Sequence, residues 1–182
     1  MVARNQPMFT CLKEQFKNRT VAKEYLVLAH GRTAKEWDEI FFPIARSETQ
    51  DRMAARPLSP SVRHAQSNDW GGVVQGEREI KKEKDAHTEF VVAKRFVNFT
   101  LLRVKIHTGR MHQIRVHLLA YNHPVVGDPL YNQKKRKRHW DKKCGRLFLH
   151  CTKLAFTDLH GNQQTFESPL PKELESFLNT LS

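Results

Sequence analysis

The segment over residues 107–131 constrains this chain more than any other, because it puts an arginine inside an apolar helix face. Read as a helix over 110–121, in which each residue advances about 100°, the sequence gathers its large apolar side chains on one arc. These are Met111, Ile114, Leu118 and Leu119. Arg115 falls in the middle of that arc. A permanent cation there is costly unless an anion answers it, so the pattern predicts either a buried anionic partner or an arginine that extends along the helix edge into water.

The order of residues in this segment also matches a known signature. Residues 108–117 read Thr-Gly-Arg-x-His-Gln-Ile-Arg-Val-His, and residues 123–131 read His-Pro-x-x-Gly-Asp-x-x-Tyr. Both runs closely resemble the signature of RluA-type RNA pseudouridine synthases. Further stretches continue the resemblance, namely Phe16, Val-Ala-Lys-Glu-Tyr at 21–25, Gly31, Ala-x-Thr at 86–88, Arg-Leu-x-Leu-His at 146–150 and Pro-Leu-Pro at 169–171. The resemblance covers nearly the whole chain apart from residues 47–85.

The resemblance implies that the chain isomerises uridine to pseudouridine in structured RNA, either rRNA or tRNA. This reaction breaks the glycosidic bond, turns the base and rejoins it through carbon 5. Nothing is oxidised and no group is imported, so we expect no cofactor. By resemblance, Tyr25 stacks on the target base and assists proton removal, and Arg115 is the cation that pairs with the catalytic aspartate. Tyr25 also fits an ordinary half-buried strand tyrosine.

One part of the family pattern has no match among the 182 residues. Family members carry a His-Arg-Leu-Asp-like loop whose aspartate is essential, and residues 1–5 resemble the strand that follows that loop. We therefore expect the chain to begin just after its catalytic aspartate and to be inactive as written. We expect Asp128 to organise its own turn rather than to replace that aspartate. Arg115 is then expected to lack its partner, so that Arg115→Met leaves stability unchanged or raised.

Three functions remain open at this stage. The first is a pseudouridine synthase whose aspartate lies outside this chain. The second is a catalytically inactive, RNA-binding relative that acts in ribosome assembly or on the ribosome, with ribosomal or assembly proteins as partners. The third and weakest is a basic interaction module that kept only the fold. The DNA upstream of the first codon distinguishes the first two functions, because an in-frame His-Arg-Leu-Asp-like run there would favour the enzyme.

The charge of the chain favours RNA as its partner. Lysine and arginine number 31 against 19 acidic residues, a formal net charge of +12, which is typical of polyanion binders. One run concentrates these cations, namely Lys134, Lys135, Arg136, Lys137, Arg138, His139 and Trp140. We predict that its cations meet phosphates while Trp140 stacks on a base. A solvated loop or a nuclear-localisation-like patch explains the run equally well.

The start of the predicted helix is a second candidate for RNA contact. Arg110, His112 and Gln113 lie where backbone N–H groups and the helix dipole favour phosphate, and Gly109 allows close backbone approach. A helix entry fixed by turn chemistry is the alternative reading of the same residues.

The periodicities predict an α+β fold, with a mixed, mostly antiparallel sheet and flanking helices in one domain over 1–182. Helices are predicted over 7–18, 110–121 and 171–181. Strands are predicted over 21–30, 38–45, 89–95, 99–107 and 147–156, with a short strand after a turn at 160–162. Residues 47–85 hold prolines, glycines and many charges, and we predict a mobile insertion there that orders on RNA or protein. Residues 132–145 are predicted to form a basic loop.

The cysteines favour a reducing compartment. Cys11, Cys144 and Cys151 form no Cys-x-x-Cys pair, and their number is odd. We therefore expect an intracellular protein, cytoplasmic or mitochondrial. The spacing of Cys144 and Cys151 from His139 and His150 matches no zinc pattern, so no metal site is predicted. No apolar run approaches about 18 residues, so no membrane span is expected.

Overall fold

The computed structural model describes residues 1–47, 52–56, 83–131 and 138–181. A six-stranded sheet in the order β2-β5-β6-β1-β7-β8 forms its centre, and β3 pairs with β4 in a separate two-stranded sheet. In chain order the elements are α1 (Gln6–Asn18), β1 (Ala22–His30), β2 (Trp37–Ile40), β3 (Ile44–Arg46), β4 (Met53–Ala55), β5 (Thr88–Arg95), β6 (Phe99–Ile106), α2 (Gln113–Ala120), α3 (Arg138–Cys144), β7 (Leu149–Thr157), β8 (Gln163–Glu167) and α4 (Lys172–Leu178). Every strand pair described is antiparallel, in agreement with the predicted α+β class.

The central strands alternate their side chains between two cores, as a sheet covered on both faces requires. On one face, Val27 of β1 and Leu102 of β6 pack with Ile114 and Leu118 of α2. On the other face, Leu28 of β1 packs with a cluster that includes residues of α4. Helix α2 is therefore held against the same sheet face to which the odd-numbered residues of β1 belong.

Two predicted elements are wrong in extent because of local backbone chemistry. The strand predicted over 38–45 is two strands in different sheets, β2 and β3. Pro43 lies between them, and a proline cannot donate a ladder hydrogen bond. The helix predicted over 110–121 begins only at Gln113, because His112 has a left-handed φ of 56°. Met111 consequently lies outside the helix and is 56% exposed.

The predicted insertion and the predicted basic loop are described only in part. Within 47–85, β4 pairs with β3, and Ile44 bridges to Lys84. Residues 48–51 and 57–82 lie outside the described residues, so the mobility of the insertion stays a prediction. Residues 138–144 of the predicted basic loop form helix α3, so that part of the loop prediction is wrong. In the part of the chain that the structure describes, no helix is long and apolar enough to cross a membrane.

Candidate active site

Gln113 builds the turn that leads into α2. Its side-chain Oε1 accepts hydrogen bonds from Thr108 Oγ1 at 2.7 Å and from the Arg110 backbone N–H at 3.0 Å. Its Nε2 donates to the carbonyl of His87 at 2.9 Å and to Thr88 Oγ1 at 3.0 Å. Gln113 is only 3% exposed, so its amide is used inside the protein to shape the loop at 108–112. Contact between Gln113 and RNA stays a prediction that requires these bonds to open.

Arg115 and Asp128 form a bidentate ion pair at the side of α2. Arg115 Nε donates to Asp128 Oδ2 at 2.7 Å, and Nη2 donates to Oδ1 at 2.6 Å. The two side chains are 13% and 1% exposed. The guanidinium also lies 4.8 Å from the centre of the Tyr131 ring. The prediction of a buried anionic partner for Arg115 is confirmed, and the expectation that Arg115 lacks a partner in this chain is wrong.

Asp128 organises its own turn as well, as the sequence predicts. Its Oδ1 accepts hydrogen bonds from the backbone N–H groups of Leu130 and Tyr131, both at 2.9 Å. Burial alone raises the pKa of the Asp128 carboxyl, but the hydrogen bonds from Arg115, Tyr131 and Leu130 outweigh it and hold the pKa below its ordinary value. A buried carboxylate with these four donors is a structural group and is poorly suited to act as a nucleophile.

Arg110 and His112 have partners next to this pair. Arg110 Nε donates to the carbonyl of Asp85 at 3.0 Å, and His112 Nδ1 lies 2.9 Å from the Tyr131 hydroxyl. Burial, and then the charge of Arg115, lower the pKa of His112, with Asp128 opposing them. His112 is therefore neutral at pH 7, and its contact with phosphate, like that of Arg110, stays a prediction.

Tyr25 belongs to a second group of residues, on β1 and β7. It packs against the core that includes Ile114 and Leu118, and it is the cross-strand partner of Cys151. Burial, followed by the neighbouring Cys151, raises the pKa of Tyr25 to about 12. Tyr25 is therefore a neutral phenol at physiological pH. Its side chain offers a ring face and a hydroxyl, rather than a phenolate base.

Lys23 connects Tyr25 to the loop at 108–112. It precedes Tyr25 by two positions on β1, so both side chains belong to the same sheet face. A Cβ added to Gly109 would lie 4.0 Å from Lys23 Nζ, which also sits 5.3 Å from the centre of the Phe16 ring. Burial lowers the pKa of Lys23, and Cys151 opposes that effect. We call Lys23, Tyr25 and Cys151 the strand group, and Arg115, Asp128 and Tyr131 the ion-pair group.

A cavity of about 580 Å³ opens across β1 from the strand group, on the sheet face that carries Glu24 and Leu26. Its volume is in the range of small-molecule sites. Residues of β1, β6, β7, β8 and the segment after β8 line it, among them Tyr25, Glu24, Arg103, Lys153 and Glu167. The lining therefore carries both charges, which distinguishes it from the uniformly basic surface that the composition alone suggests.

The basic run is only partly visible. Lys134, Lys135, Arg136 and Lys137 lie outside the described residues, and Arg138 is the first residue of α3. Trp140 packs edge-to-face against Phe99, with ring centres 5.4 Å apart, and against Phe177 at 6.5 Å. This packing role is the simpler account of Trp140, and its stacking on a base stays a prediction. Among the described residues, no cluster of histidine, cysteine or acidic side chains is suited to a metal ion.

Sequence reasoning missed Asp141, whose carboxylate binds the backbone of Gly127, the residue before Asp128 of the ion-pair group. Asp141 Oδ1 accepts a hydrogen bond from the Gly127 backbone N–H at 2.7 Å and lies 2.9 Å from His30 Nε2. Gly127 has a φ of +72°, and a Cβ there would come within 1.8 Å of the Arg146 carbonyl oxygen. The one acidic residue in the basic stretch at 134–143 is a signal that could have drawn attention to Asp141.

Comparisons with known proteins find one family. Residues 1–120 match the family described as RNA pseudouridylate synthase. Over 182 residues the chain is 30% identical to an uncharacterized RNA pseudouridine synthase of Bacillus subtilis. The alignment covers 100% of this chain and 51% of that protein. The chain is 31% identical to ribosomal large subunit pseudouridine synthase D of Nitrosomonas europaea, over 93% of this chain and 44% of that protein. The chain thus spans about half the length of these curated relatives.

A solved structure has the same fold. Human RNA pseudouridylate synthase domain containing 1 superimposes with a TM-score of 0.75 at 25% sequence identity, over 97% of this chain and 66% of that one.

Proposed function

Because the chain belongs to the RluA-type RNA pseudouridine synthase family, we propose that it acts in the isomerisation of uridine to pseudouridine in structured RNA, either rRNA or tRNA. The observation that carries this proposal is the meeting of two motifs that are far apart in the sequence. Lys23, which shares a face of β1 with Tyr25, lies beside Gly109 of the loop that enters α2. The net charge of +12 supports a polyanionic substrate.

In this proposal, Tyr25 works as a neutral phenol. Its ring stacks on the target base, and its hydroxyl bonds to the base while the glycosidic bond breaks and the base turns. The proton lost from carbon 5 passes to an acceptor near that hydroxyl, and N1 gains a proton, so the reaction needs no oxidant or reductant. Because the pKa of Tyr25 is raised to about 12, its side chain stays protonated. It therefore acts as a hydrogen-bonding group and proton carrier rather than as a phenolate base.

We propose that the nucleophilic aspartate comes from residues outside these 182. Asp128 is unsuited to the role, since its carboxylate is 1% exposed and bound by four donors. Asp128 takes two of the five N–H donors that a guanidinium carries. Another donor of Arg115 then serves the incoming aspartate and keeps it ionised.

A second candidate function is an inactive RNA-binding relative that acts in ribosome assembly or on the ribosome. The ion-pair group favours it, because Arg115 is already neutralised by Asp128 at 2.6 Å and needs no further carboxylate to be stable. Both candidates bind RNA, but only the first isomerises uridine.

Chemical mapping of pseudouridine in RNA decides between them. The 182-residue chain alone should give no turnover, whereas the same chain preceded by an in-frame His-Arg-Leu-Asp-like segment should be active. In that active protein, Tyr25→Phe should reduce turnover by roughly 10²–10⁴-fold. Tyr121→Phe is the matched control, since the Tyr121 hydroxyl donates to Asp38 at 2.6 Å. Turnover by the 182 residues alone would show that the nucleophile lies within them.

A further inference from the structure

Three aromatic rings stack in a row near β2, and the proposed isomerisation uses none of them. The ring of Phe41, just after β2, has its centre 4.2 Å from that of His87, at an interplanar angle of 21°. The ring of His87 in turn lies 4.0 Å from that of His107, at 13°. The three rings are therefore nearly parallel and in face-to-face contact. We call them the aromatic ladder.

Hydrogen bonds on both sides fix the aromatic ladder in place. His87 Nε2 lies 2.9 Å from Glu39 Oε1, and His107 Nε2 lies 2.9 Å from Glu89 Oε2. Glu39 and Glu89 are themselves cross-strand partners on β2 and β5, and the His107 backbone N–H donates to the carbonyl of His87 at 3.1 Å. Rings that are already ordered lose little conformational freedom when a further ring is added to the stack.

The aromatic ladder is tied to the loop that forms the candidate active site. The His87 backbone N–H donates to Thr108 Oγ1 at 2.9 Å. The His87 carbonyl accepts a hydrogen bond from Gln113 Nε2 at 2.9 Å. The same loop carries Gly109, which lies against Lys23 of the strand group. RNA that reaches the strand group along this loop therefore has the aromatic ladder beside it.

The outer ring of the aromatic ladder is open to solvent. Phe41 is 56% exposed, so a large part of its side chain is accessible to a ligand. Glu39 and Glu89 flank the ladder and disfavour a phosphate group at this position. A nucleobase is flat and uncharged, and aromatic side chains bind single-stranded RNA by stacking on such bases. The charges and the shape together fit a base better than they fit the RNA backbone.

We infer that the aromatic ladder is a stacking platform for an unpaired nucleobase of the RNA substrate, at a position separate from the target uridine, and that Phe41 is the ring in contact with it. The inference rests on the proposed function only in taking RNA as the substrate. It does not require the chain to isomerise uridine.

Two RNA-like probes of equal length and charge test the platform. One is a fluorescently labelled single-stranded oligoadenylate, and the other is the corresponding abasic ribose-phosphate oligomer. Affinities are measured at one fixed salt concentration for the 182-residue chain and for Phe41→Ala and Phe41→Trp. Phe166→Ala is the matched control, because Phe166 is 55% exposed and is also stacked, on Phe156 at 15°. It lies on β8, the opposite edge strand of the sheet from β2.

The unsubstituted chain should bind oligoadenylate more tightly than the abasic oligomer. Phe41→Ala should weaken oligoadenylate binding by roughly fivefold or more while leaving abasic binding unchanged. Phe41→Trp should keep the preference, and Phe166→Ala should bind like the unsubstituted chain. A preference that survives in Phe41→Ala, or equal losses in Phe41→Ala and Phe166→Ala, would overturn the platform alone. Failure of the unsubstituted chain to bind either probe would also overturn the platform, whereas the proposed function is decided separately by pseudouridine mapping in structured RNA.

Discussion

The ion-pair group lies within the signature segment and the strand group lies on β1 and β7, and the two differ in how completely their polar atoms are used. In the ion-pair group, Arg115 and Asp128 bind each other through two hydrogen bonds, and backbone N–H groups bind the same carboxylate. In the strand group, Lys23, Tyr25 and Cys151 lie in line across two strands, and burial shifts the pKa of each of them. The first group supports α2 through a complete set of hydrogen bonds, and the second is the one that we propose to meet the substrate.

The comparison teaches that the most conspicuous residue of a signature need not be the one that awaits a ligand. Arg115 attracts attention in the sequence because it lies among apolar residues, and the structure answers its charge within the chain. Tyr25 gives no such signal, but burial and the neighbouring Cys151 raise its pKa to about 12. Groups with strongly perturbed pKa values are candidates for function.

The largest expected effect comes from removing the cation of the ion-pair group. Arg115→Met leaves Asp128 as a buried carboxylate without its charged partner, so the free energy of unfolding should fall by roughly 3–5 kcal/mol. This reverses the expectation from the sequence that the substitution is harmless. Denaturant unfolding measures the change.

Glu173→Gln is the control for Arg115→Met, since it removes an ion pair with Arg146 whose side chains are 47% and 56% exposed. Exposed pairs contribute about 0–1 kcal/mol. Equal effects of the two substitutions would show that Asp128 is not held as the structure has it.

Two glycines allow the space around the ion-pair group and around the strand group to be compared by adding a single Cβ at each. Gly127→Ala in the turn of the ion-pair group should destabilise the protein by roughly 2–5 kcal/mol, because it combines a left-handed φ with overlap of the Arg146 carbonyl. Gly109→Ala beside the strand group should change stability little, since its added Cβ meets only Lys23 Nζ at 4.0 Å. Thermal melts of both variants test this. A larger loss of stability for Gly109→Ala than for Gly127→Ala would contradict the packing described at the two glycines.

The sequence predicts much of the fold because alternation and apolar spacing are local properties. Strand β1 and helix α1 follow directly from them. The apolar arc predicted around Arg115 is wrong in part, because Met111 and Leu119 are 56% and 40% exposed. The sequence does not predict that Asp128 is the anion that pairs with Arg115, since a turn 13 residues away brings it to α2. It also does not reveal the left-handed backbone of His112, which shortens α2, because that conformation depends on the surrounding packing.

A buried histidine of α2 provides a pH-dependent test of how this helix is packed. His117 is 0% exposed, and burial lowers its pKa to about 4, although the hydrogen bond to the Phe42 carbonyl opposes the shift. The unfolded chain protonates this histidine near pH 6.5, so the fold loses stability as pH falls from about 6.5 through about 4. The loss should reach roughly 2–3 kcal/mol. Above about pH 6.5, the contribution of neutral His117 to the free energy of unfolding should be fully present.

Unfolding curves at a series of pH values measure this loss. His117→Gln is the variant to compare, because glutamine can still donate to the Phe42 carbonyl but does not titrate. Its stability should change less between pH 6.5 and 4 than that of the unsubstituted chain. Identical slopes in the two proteins would show that His117 is solvated and titrates normally.

The smallest expected effect concerns the strand group, where one neighbour tunes Tyr25. Burial is the main cause of the raised pKa of Tyr25, and Cys151 adds to it. Cys151→Ala should therefore lower the Tyr25 pKa below about 12 without returning it to its ordinary value near 10, and should change stability by less than about 1 kcal/mol.

NMR titration of tyrosine ring carbons reports the pKa, with Tyr25→Phe to assign the signal. Tyr121 is the internal control, since burial, and then the hydrogen bond to Asp38, raise its pKa without involving Cys151. An unchanged Tyr25 titration in Cys151→Ala would mean that the two side chains do not interact, and a shift of Tyr121 instead would mean that the substitution acts through the fold.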